Sequence, residues 1–423
     1  MRRPSPTTLL LPLALALSGC ATPATDAEWA TITDVTPAFL AGTYAADASV
    51  ASDAHGRVAL TWVKRDTLGA ADLWLSVSLD SGATFSPPLR ANTRAGKVSS
   101  YPESRPVASF GPAGELLLVW ASGRDLGEYT DDVVARISRD GGRTFGDEHA
   151  INDDAGDPRS TYHGFAAADW LADGRAVVAW IDGRSHPLGE GEEEPHTAEI
   201  YADLSTADDR WGTDTRVAGL VCPCCRISLR ARGDLDIAIA YRGAAHDLRD
   251  PRMALSRDGG RRFRADSLVS RDAWKLDGCP SNGPALVSGN GPLAGTIAWF
   301  TGAESTTGVH SAEWSAVGDS AFSFGASRTH ADSLREPDRP MLTSLGAHTL
   351  LGVLGKPPAA GAPPVLALKT LGPKGAASPW LHLGTGVRSA ALASAGGGSA
   401  YAAWTEKTAE GPRVRLARVV RKP

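Results

Sequence analysis

The chain has 423 residues, of which 42% are hydrophobic and 22% are charged, and this ordinary globular composition excludes disorder over most of its length. The formal net charge is -5, which gives no indication of nucleic-acid binding through bulk charge. The 46 glycines and 28 prolines fall between short apolar runs, so many turns and short strands are expected and a helical bundle is not.

The N-terminus has the layout of a signal peptide, with Arg2 and Arg3 followed by the apolar run 9–17, which is too short to span a membrane. The next residues, Leu17-Ser18-Gly19-Cys20, resemble the lipobox of bacterial lipoproteins. The resemblance implies a signal peptide over 1–19, lipidation of Cys20 and an exported protein anchored in the cell envelope, on its periplasmic or surface face. The alternative is a plain secretory signal. We expect a tether over 20–33 and one domain over 34–423.

A motif of the form S-x-D-x-G-x-T-F recurs along the chain. Its three good copies are Ser78–Phe85, Ser138–Phe145 and Ser256–Phe263, and degraded copies lie at Ser205–Trp211 and Ser315–Phe322. In each copy the aspartate is expected to accept backbone N–H groups across a turn, the glycine to adopt positive φ and the aromatic ring to pack inward. The motif is therefore interpreted as a structural clip between two strands and not as a catalytic site.

A second marker, an apolar strand that ends in an aromatic residue, has the same period of about 60 residues. The marker residues are Trp62, Trp120, Trp180, Tyr241, Trp299 and Trp404. The last interval is about twice the others, which places a copy without an aromatic residue near Leu350–Leu354. We therefore predict an all-β fold, a β-propeller of seven four-stranded blades, with six blades as the alternative. Residues 29–39 are expected to supply the missing strand of the last blade and close the ring.

The repeated motifs resemble the Asp-boxes, or BNR repeats, of the sialidase superfamily. The resemblance covers the whole mature chain by period and implies a glycan-directed propeller, with exo-sialidase (glycoside hydrolase) activity as its specific form. Sialidases themselves have six blades. The resemblance also implies an axial site that needs a cluster of arginines for a carboxylate and a tyrosine activated by a glutamate.

The candidate axial residues lie where the first strand of each repeat begins, on the face opposite the repeated motifs. The arginines are Arg105, Arg226, Arg339 and Arg388, and the nucleophile pair is Tyr101 with Glu103, with Tyr162 and Glu336 as alternatives. The alternative role for these arginines is to form ion pairs and backbone hydrogen bonds that only line the pore.

Four cysteines remain after Cys20, and three of them are packed into Cys222-Pro223-Cys224-Cys225. Cys279-Pro280 occupies the matching position of the next repeat, so Cys279 is expected close to them. One interpretation is a disulfide, most simply Cys222 to Cys279. The other is a thiolate site for copper or zinc, with Cys222, Cys224, Cys225, Cys279 and His163 as candidate ligands; unpaired or redox-active thiols are a third.

Three classes of function remain open, and each has a different binding partner. A glycan-directed propeller binds a saccharide, a non-enzymatic propeller binds a soft metal ion, and a scaffold binds other proteins. In each case we expect a monomer that is attached to the membrane through Cys20.

Overall fold

The computed structural model describes residues 25–26, 28–125, 130–157, 162–185, 197–289, 291–330, 333–372 and 376–423. Within these ranges the strands form seven antiparallel sheets of four or five strands, and helical structure is limited to two short 3-10 turns, Ala38–Leu40 and Ala245–Asp247. None of the described helices is long and apolar enough to cross a membrane. The predicted all-β propeller with seven blades is confirmed, and the six-bladed alternative is wrong.

Each blade contributes an inner strand next to the propeller axis. From blade 1 to blade 7 these are Ala46–Ser52, Val107–Phe110, His163–Trp170, Ser228–Arg232, Ala285–Ser288, Arg335–Leu345 and Val387–Gly396. The second strands are Val58–Arg65, Leu116–Gly123, Ala176–Asp182, Asp236–Arg242, Ala294–Thr301, His348–Lys356 and Ser399–Thr408.

The third strands are Ala71–Ser78, Asp131–Ser138, Ala198–Leu204, Pro251–Ser256, Gly308–Val317, Val365–Leu371 and Gly411–Arg421. The outer strands are Leu89–Arg90, His149–Ala150, Thr215–Val221, Arg264–Leu268, Ala321–Phe324, Leu381–Leu383 and, in blade 7, Ala30–Asp34. The short strands Thr25–Asp26, Val98–Ser99 and Arg328–Thr329 add to blades 7, 2 and 5.

The second strands are continuous apolar runs because both of their faces pack against neighbouring blades. Ala176–Asp182, for example, is buried at every residue, as expected for a strand covered on both sides. All six predicted marker aromatics are buried, from Trp62 and Trp180 at 0% exposure to Trp404 at 7%. The predicted copy without an aromatic residue is the second strand of blade 6. Hydrophobic clusters join neighbouring blades, so the core is distributed around the ring.

The repeated serine-aspartate motifs lie in the turns between third and outer strands, which agrees with the predicted clip between two strands. In the second copy, the backbone N–H of Thr144 donates to Asp140 Oδ1 at 2.9 Å and that of Gly142 donates to Ser138 Oγ at 2.7 Å. The hydrogen bonds from Thr144 lower the pKa of Asp140. The copies that begin at Ser78 and Ser256 make equivalent bonds. These aspartates serve the turn, and they lie on the face opposite the axial candidate residues.

The N-terminal segment closes the ring. Ala30–Asp34 pairs antiparallel with Gly411–Arg421, so that Ala30 lies opposite Arg421 and Asp34 lies opposite Ala417. This confirms the predicted closure and corrects the expected tether, because residues 30–33 belong to a strand of the propeller. The predicted signal peptide over 1–19 and the lipidation site Cys20 lie outside the described residues.

Candidate functional site

The inner strands carry a recurring irregularity where they approach the axis. In blades 1, 3 and 6 a β-bulge lies opposite Trp62, Trp180 and Val353 of the second strand. The first bulged residue has positive φ in each case, 51° at Asp47, 53° at Phe165 and 50° at Arg339. Residues other than glycine adopt this conformation rarely, and bulges re-aim side chains next to functional sites. These three blades, which are spread around the ring, therefore present selected side chains at the same level of the axis.

Three of the four predicted arginines come together at this level. The guanidinium of Arg105 is half-buried and donates to the carbonyl of Pro102 at 2.9 Å. Burial and the nearby positive charge of Arg226 lower the pKa of Arg105 to about 9, while Glu103 and Asp47 oppose this shift. The charge of Arg339 also acts on Arg105. The structure thus gathers three cations from blades 2, 4 and 6.

Arg226 has the fewest polar contacts of these three arginines. Its side chain is half-buried and makes no hydrogen bond or ion pair with the part of the chain that the structure describes. Its backbone is held by Gly283 of the next blade, where an added Cβ would lie only 1.8 Å from the Arg226 carbonyl oxygen. A glycine is therefore required at position 283 to let the backbone that carries Arg226 approach.

Arg339 connects the cluster to its acidic neighbours. Its Nε lies 3.3 Å from Oε1 of Glu103, and its backbone N–H donates to Asn282 Oδ1 at 3.1 Å. Its Nη1 donates to the backbone carbonyl of Arg388 at 3.0 Å. Arg388, the fourth predicted arginine, thus meets the cluster through its backbone, and its own side chain is exposed.

Two carboxyl groups of the cluster are held in unusual environments. Glu103 is only 5% exposed, and its Oε2 has no hydrogen-bond partner among the described residues. Burial raises the pKa of Asp338 to about 6, and the adjacent positive charge of Arg339 offsets only part of this increase. Asp338 and Asp47 were not predicted as site residues. Two features of the sequence could have indicated them. Asp47 occupies the position in its repeat that Arg105 occupies in the next, and Asp338 lies in the charged run Arg335-Glu336-Pro337-Asp338-Arg339.

The tyrosine candidates differ in their surroundings. Tyr101 is 44% exposed, and its ring packs edge-on against Phe165 with a centroid separation of 5.6 Å. The hydroxyl of Tyr162 donates to the carbonyl of Pro223 at 2.8 Å, so this residue contacts the cysteine segment. Glu336 forms an ion pair with Lys356 on the surface. Tyr162 is therefore engaged with the cysteine segment, and Glu336 with Lys356.

A cavity of 420 Å³ lies on the propeller axis. Inner strands of all seven blades line it, mostly with small residues, and Arg105 and Arg226 are part of its wall. Its size lies within the range of small-molecule sites. The arginine cluster is therefore next to a space that can admit a ligand.

The cysteines form a cluster at the start of blades 4 and 5. The disulfide joins Cys224 to Cys279 with Cα atoms 6.1 Å apart, so the simplest predicted pairing, Cys222 with Cys279, is wrong. The reason is the path of the backbone. The N–H of Cys222 still bonds to the carbonyl of Arg242, which keeps its side chain buried, whereas Cys224 lies in the following turn and is partly exposed beside exposed Cys279.

The other two cysteines form a buried thiol pair. Cys222 and Cys225 are both 0% exposed and their sulfur atoms are 3.0 Å apart. Cys222 Sγ is also 3.8 Å from Cys224 Sγ, and all three sulfurs of this segment lie within 4.8 Å of one another. The hydrogen bond with Cys225 lowers the pKa of the Cys222 thiol, and burial raises that of Cys225.

Two buried arginines surround the thiol pair. Arg242 is 0% exposed and donates to the carbonyls of Asn282 and Phe300, both at 2.8 Å. Arg249 is 1% exposed and donates to the carbonyl of Gly278 at 3.1 Å. Within the described residues neither forms an ion pair with a carboxylate. Their positive charges therefore favour an anion nearby, and they contribute to the lowered pKa of Cys222.

The structure does not bring His163 to the cysteines. The ring is 0% exposed, with Nδ1 2.6 Å from the carbonyl oxygen of Asp131 and Nε2 3.1 Å from Asp154 Oδ1. Nε2 is also 3.4 Å from Asp182 Oδ2. Burial by itself would lower the pKa of His163. The two carboxylates have a larger effect in the opposite direction, so the net pKa of His163 is raised. An imidazole held among carboxylates is a cationic partner for them, and the group of clustered sulfurs contains no histidine.

The comparisons with known proteins identify the fold. The structure is similar to that of Hadza microbial sialidase Hz136, with 11% sequence identity and a TM-score of 0.51 over 92% of this chain and 68% of that one. It is also similar to polysaccharide lyase Uly1, with 10% identity and a TM-score of 0.51 over 89% of this chain and 90% of that one. No protein-family model and no curated protein matches the sequence. The chain thus has the sialidase-like β-propeller fold.

Proposed function

We propose that the axial site binds a saccharide that carries a carboxylate, and that Arg105, Arg226 and Arg339 hold this carboxylate. The observation that carries the proposal is the half-buried guanidinium of Arg226, which has no polar partner among the described residues and lies beside a second cation. Cations brought together in a partly desolvated site repel one another, and a bound anion relieves that repulsion.

The ligand class is supported by fold and by space. Of the two structures described above, one is of a sialidase and the other of a polysaccharide lyase, so a saccharide agrees with the use of this fold in other proteins. The axial cavity has the volume needed for a small ligand, and its charged lining residues are the three arginines Arg105, Arg226 and Arg230 and one acid, Asp169. A carboxylated sugar satisfies both the shape and the charge of this site.

Exo-sialidase activity is the more specific form of the proposal. In that form Tyr101 acts as nucleophile, and Glu103, whose Oε2 has no partner among the described residues, accepts its proton. Asp338 then serves as acid and base, because its pKa of about 6 allows it to hold and release a proton near neutral pH. Ligand binding and hydrolysis are separable, so the protein can bind the sugar without cleaving it.

Replacing Arg226 tests the carboxylate clamp directly. We expect Arg226→Ala to weaken binding of the methyl α-glycoside of N-acetylneuraminic acid by about 30-fold or more, because loss of a desolvated charged partner costs about 2 to 5 kcal/mol. Isothermal titration calorimetry measures this change, and a fluorogenic sialoside tests turnover in the same samples. Arg226 makes no side-chain hydrogen bond to the described residues, so the variant is expected to remain folded.

Arg143→Ala is the matched control, because Arg143 is exposed in a motif turn on the opposite face. It should bind the glycoside like the wild type. The proposal fails if the wild type binds the neutral methyl ester of the glycoside as tightly as the acid, or if Arg226→Ala binds the acid unchanged. If binding is lost as expected but the fluorogenic sialoside is not hydrolysed, only the exo-sialidase form is rejected.

The cysteine cluster supports a second candidate function, binding of copper(I) or zinc. Three sulfurs already lie within 4.8 Å of one another, and Cys279 is bonded to one of them. In the disulfide form only Cys222 and Cys225 are available as thiolates, so we expect a full site only after reduction. Soft thiolate ligands favour these two ions.

Metal analysis of the reduced protein tests this candidate. After reduction, loading with copper(I) or zinc and desalting, we expect about one ion per chain, and Cys225→Ser should lose most of it, because a structural thiolate site uses three or four sulfurs. The His163→Gln variant is the control and should retain the ion, because His163 lies among carboxylates. If wild-type protein retains no ion by inductively coupled plasma mass spectrometry, the metal candidate is wrong.

The site of action is also a proposal. Arg2, Arg3, the apolar run and Cys20 support export and anchoring through a lipid on Cys20, with the propeller on the periplasmic or surface face of the bacterial envelope. In this setting the monomeric propeller would meet glycans outside the cytoplasm. A scaffold for partner proteins remains the third function class. This class would be favoured if the wild-type protein did not bind the saccharide.

A further inference from the structure

Four sulfur atoms form a continuous path from the interior of the propeller to its surface. The interior end is the thiol pair Cys222 and Cys225, both fully buried, with sulfurs 3.0 Å apart. From Cys222 the next sulfur is that of Cys224, at 3.8 Å. Cys224 is bonded to Cys279, whose residue is exposed. Cys222 is therefore in contact with both the remaining thiol and the disulfide.

We propose that these four cysteines form a two-electron relay in which the buried dithiol reduces the surface disulfide. In the first step the Cys222 thiolate attacks Cys224 Sγ. A Cys222–Cys224 bond forms, the Cys224–Cys279 bond breaks, and its electron pair remains on Cys279. In the second step the Cys225 thiolate attacks Cys222 Sγ, a Cys222–Cys225 bond forms, and Cys224 leaves as thiolate.

The relay is balanced within the chain. Cys222 and Cys225 each lose a proton and together lose two electrons, and Cys279 and Cys224 take up the same numbers. No outside oxidant or reductant is required. The starting state has its disulfide at the surface and its thiols inside, and the final state has the reverse. The final state therefore presents the thiol of Cys279 to a disulfide of another molecule.

The surroundings of the thiol pair suit the transfer of negative charge between sulfurs. Arg242 and Arg249 are buried beside it and are satisfied only by carbonyl oxygens among the described residues, so their charges stabilise a thiolate. The backbone N–H of Asn282 points at Cys225 Sγ from 3.5 Å. Cys222 and Cys225 also have the C-x-x-C spacing that dithiol centres use.

A labelling experiment on the full chain tests the relay. Native protein is incubated with iodoacetamide and a chelator at about pH 8, where thiol–disulfide exchange proceeds and metal binding is excluded. Peptide mapping then follows each cysteine. In wild type we expect labels to accumulate on Cys279 and Cys224, together with a Cys222–Cys225 disulfide. The two labelled residues begin as a disulfide, so exchange is required before they react.

Two serine variants separate the steps. Cys222→Ser should slow labelling of Cys279 by about ten-fold or more, because the attacking sulfur is gone. Cys225→Ser should still release Cys279 but should stop at the Cys222–Cys224 bond, leaving Cys224 unlabelled. Circular dichroism checks that each variant is folded.

The proposal is overturned if wild-type Cys279 stays unlabelled while the buried thiols react directly, or if Cys222→Ser releases Cys279 at the wild-type rate. Both outcomes leave the saccharide proposal and the metal candidate untouched, because neither of those depends on exchange between the sulfurs.

Discussion

Deletion of residues 1–36 should lower the free energy of unfolding by about 5 kcal/mol or more, because it removes the outer strand of blade 7 and opens the ring. Ile32 is 5% exposed and Ala30 is fully buried, so their apolar contacts are lost, at about 2 to 3 kcal/mol for the isoleucine. The hydrogen bonds to Gly411–Arg421 contribute about 1 kcal/mol each. The total is comparable to the whole stability of a domain.

The matched control is deletion of residues 1–27, which retains Trp29 and the complete strand Ala30–Asp34. The indole N–H of Trp29 donates to the carbonyl of Pro379 at 3.1 Å, and its carbonyl accepts the N–H of Lys422, so this residue also belongs to the closed ring. Urea unfolding followed by tryptophan fluorescence compares the two proteins. Equal unfolding midpoints would show that the closure contributes little. Aggregation confined to the longer deletion would agree with an exposed strand edge.

The number of blades could be predicted because each blade repeats the same physical requirement. Every second strand is buried on both faces, so an apolar run ending in a large side chain recurs at a fixed interval. Even the blade with Val353 at the matching position keeps the period. The turn motif recurs for a related reason, since the backbone N–H groups between third and outer strands need an acceptor, and Asp80, Asp140 and Asp258 provide one.

The axial site could be predicted only in part. Arg105, Arg226 and Arg339 come together because the inner strands of a propeller all start near the axis, and this follows from topology. The partial burial of Asp338 and the full burial of Glu103 could not be predicted, because they depend on β-bulges and on side chains from other blades. His163 was misplaced because its ring lies against the carbonyl of Asp131, against Asp154 and against Asp182, which is directly opposite it on the next strand of the blade.

The cysteine pairing shows a different limit. That Cys279 would meet the segment 222–225 followed from the matching positions of two repeats. Which of three neighbouring sulfurs it would bond to depends on where the strand pairing ends, and the N–H of Cys222 is still bonded to the carbonyl of Arg242. A difference of two residues along the backbone therefore separates a buried thiol from half of a surface disulfide.

That difference leads to a prediction about stability. Cys279→Ser should lower the free energy of unfolding by about 4 kcal/mol in the chain-entropy model, because Cys224 and Cys279 are 55 residues apart and the bond restricts the unfolded chain. Cys222→Ser should cost only about 1 kcal/mol, the loss of one small buried group, because Cys222 is not bonded in the native state. Urea unfolding under non-reducing conditions measures both values.

A reductant should lower the free energy of unfolding of wild type to that of Cys279→Ser and leave that variant unchanged. If Cys222→Ser were instead as unstable as Cys279→Ser, the native disulfide would be the one between Cys222 and Cys279 and the pairing described above would be wrong.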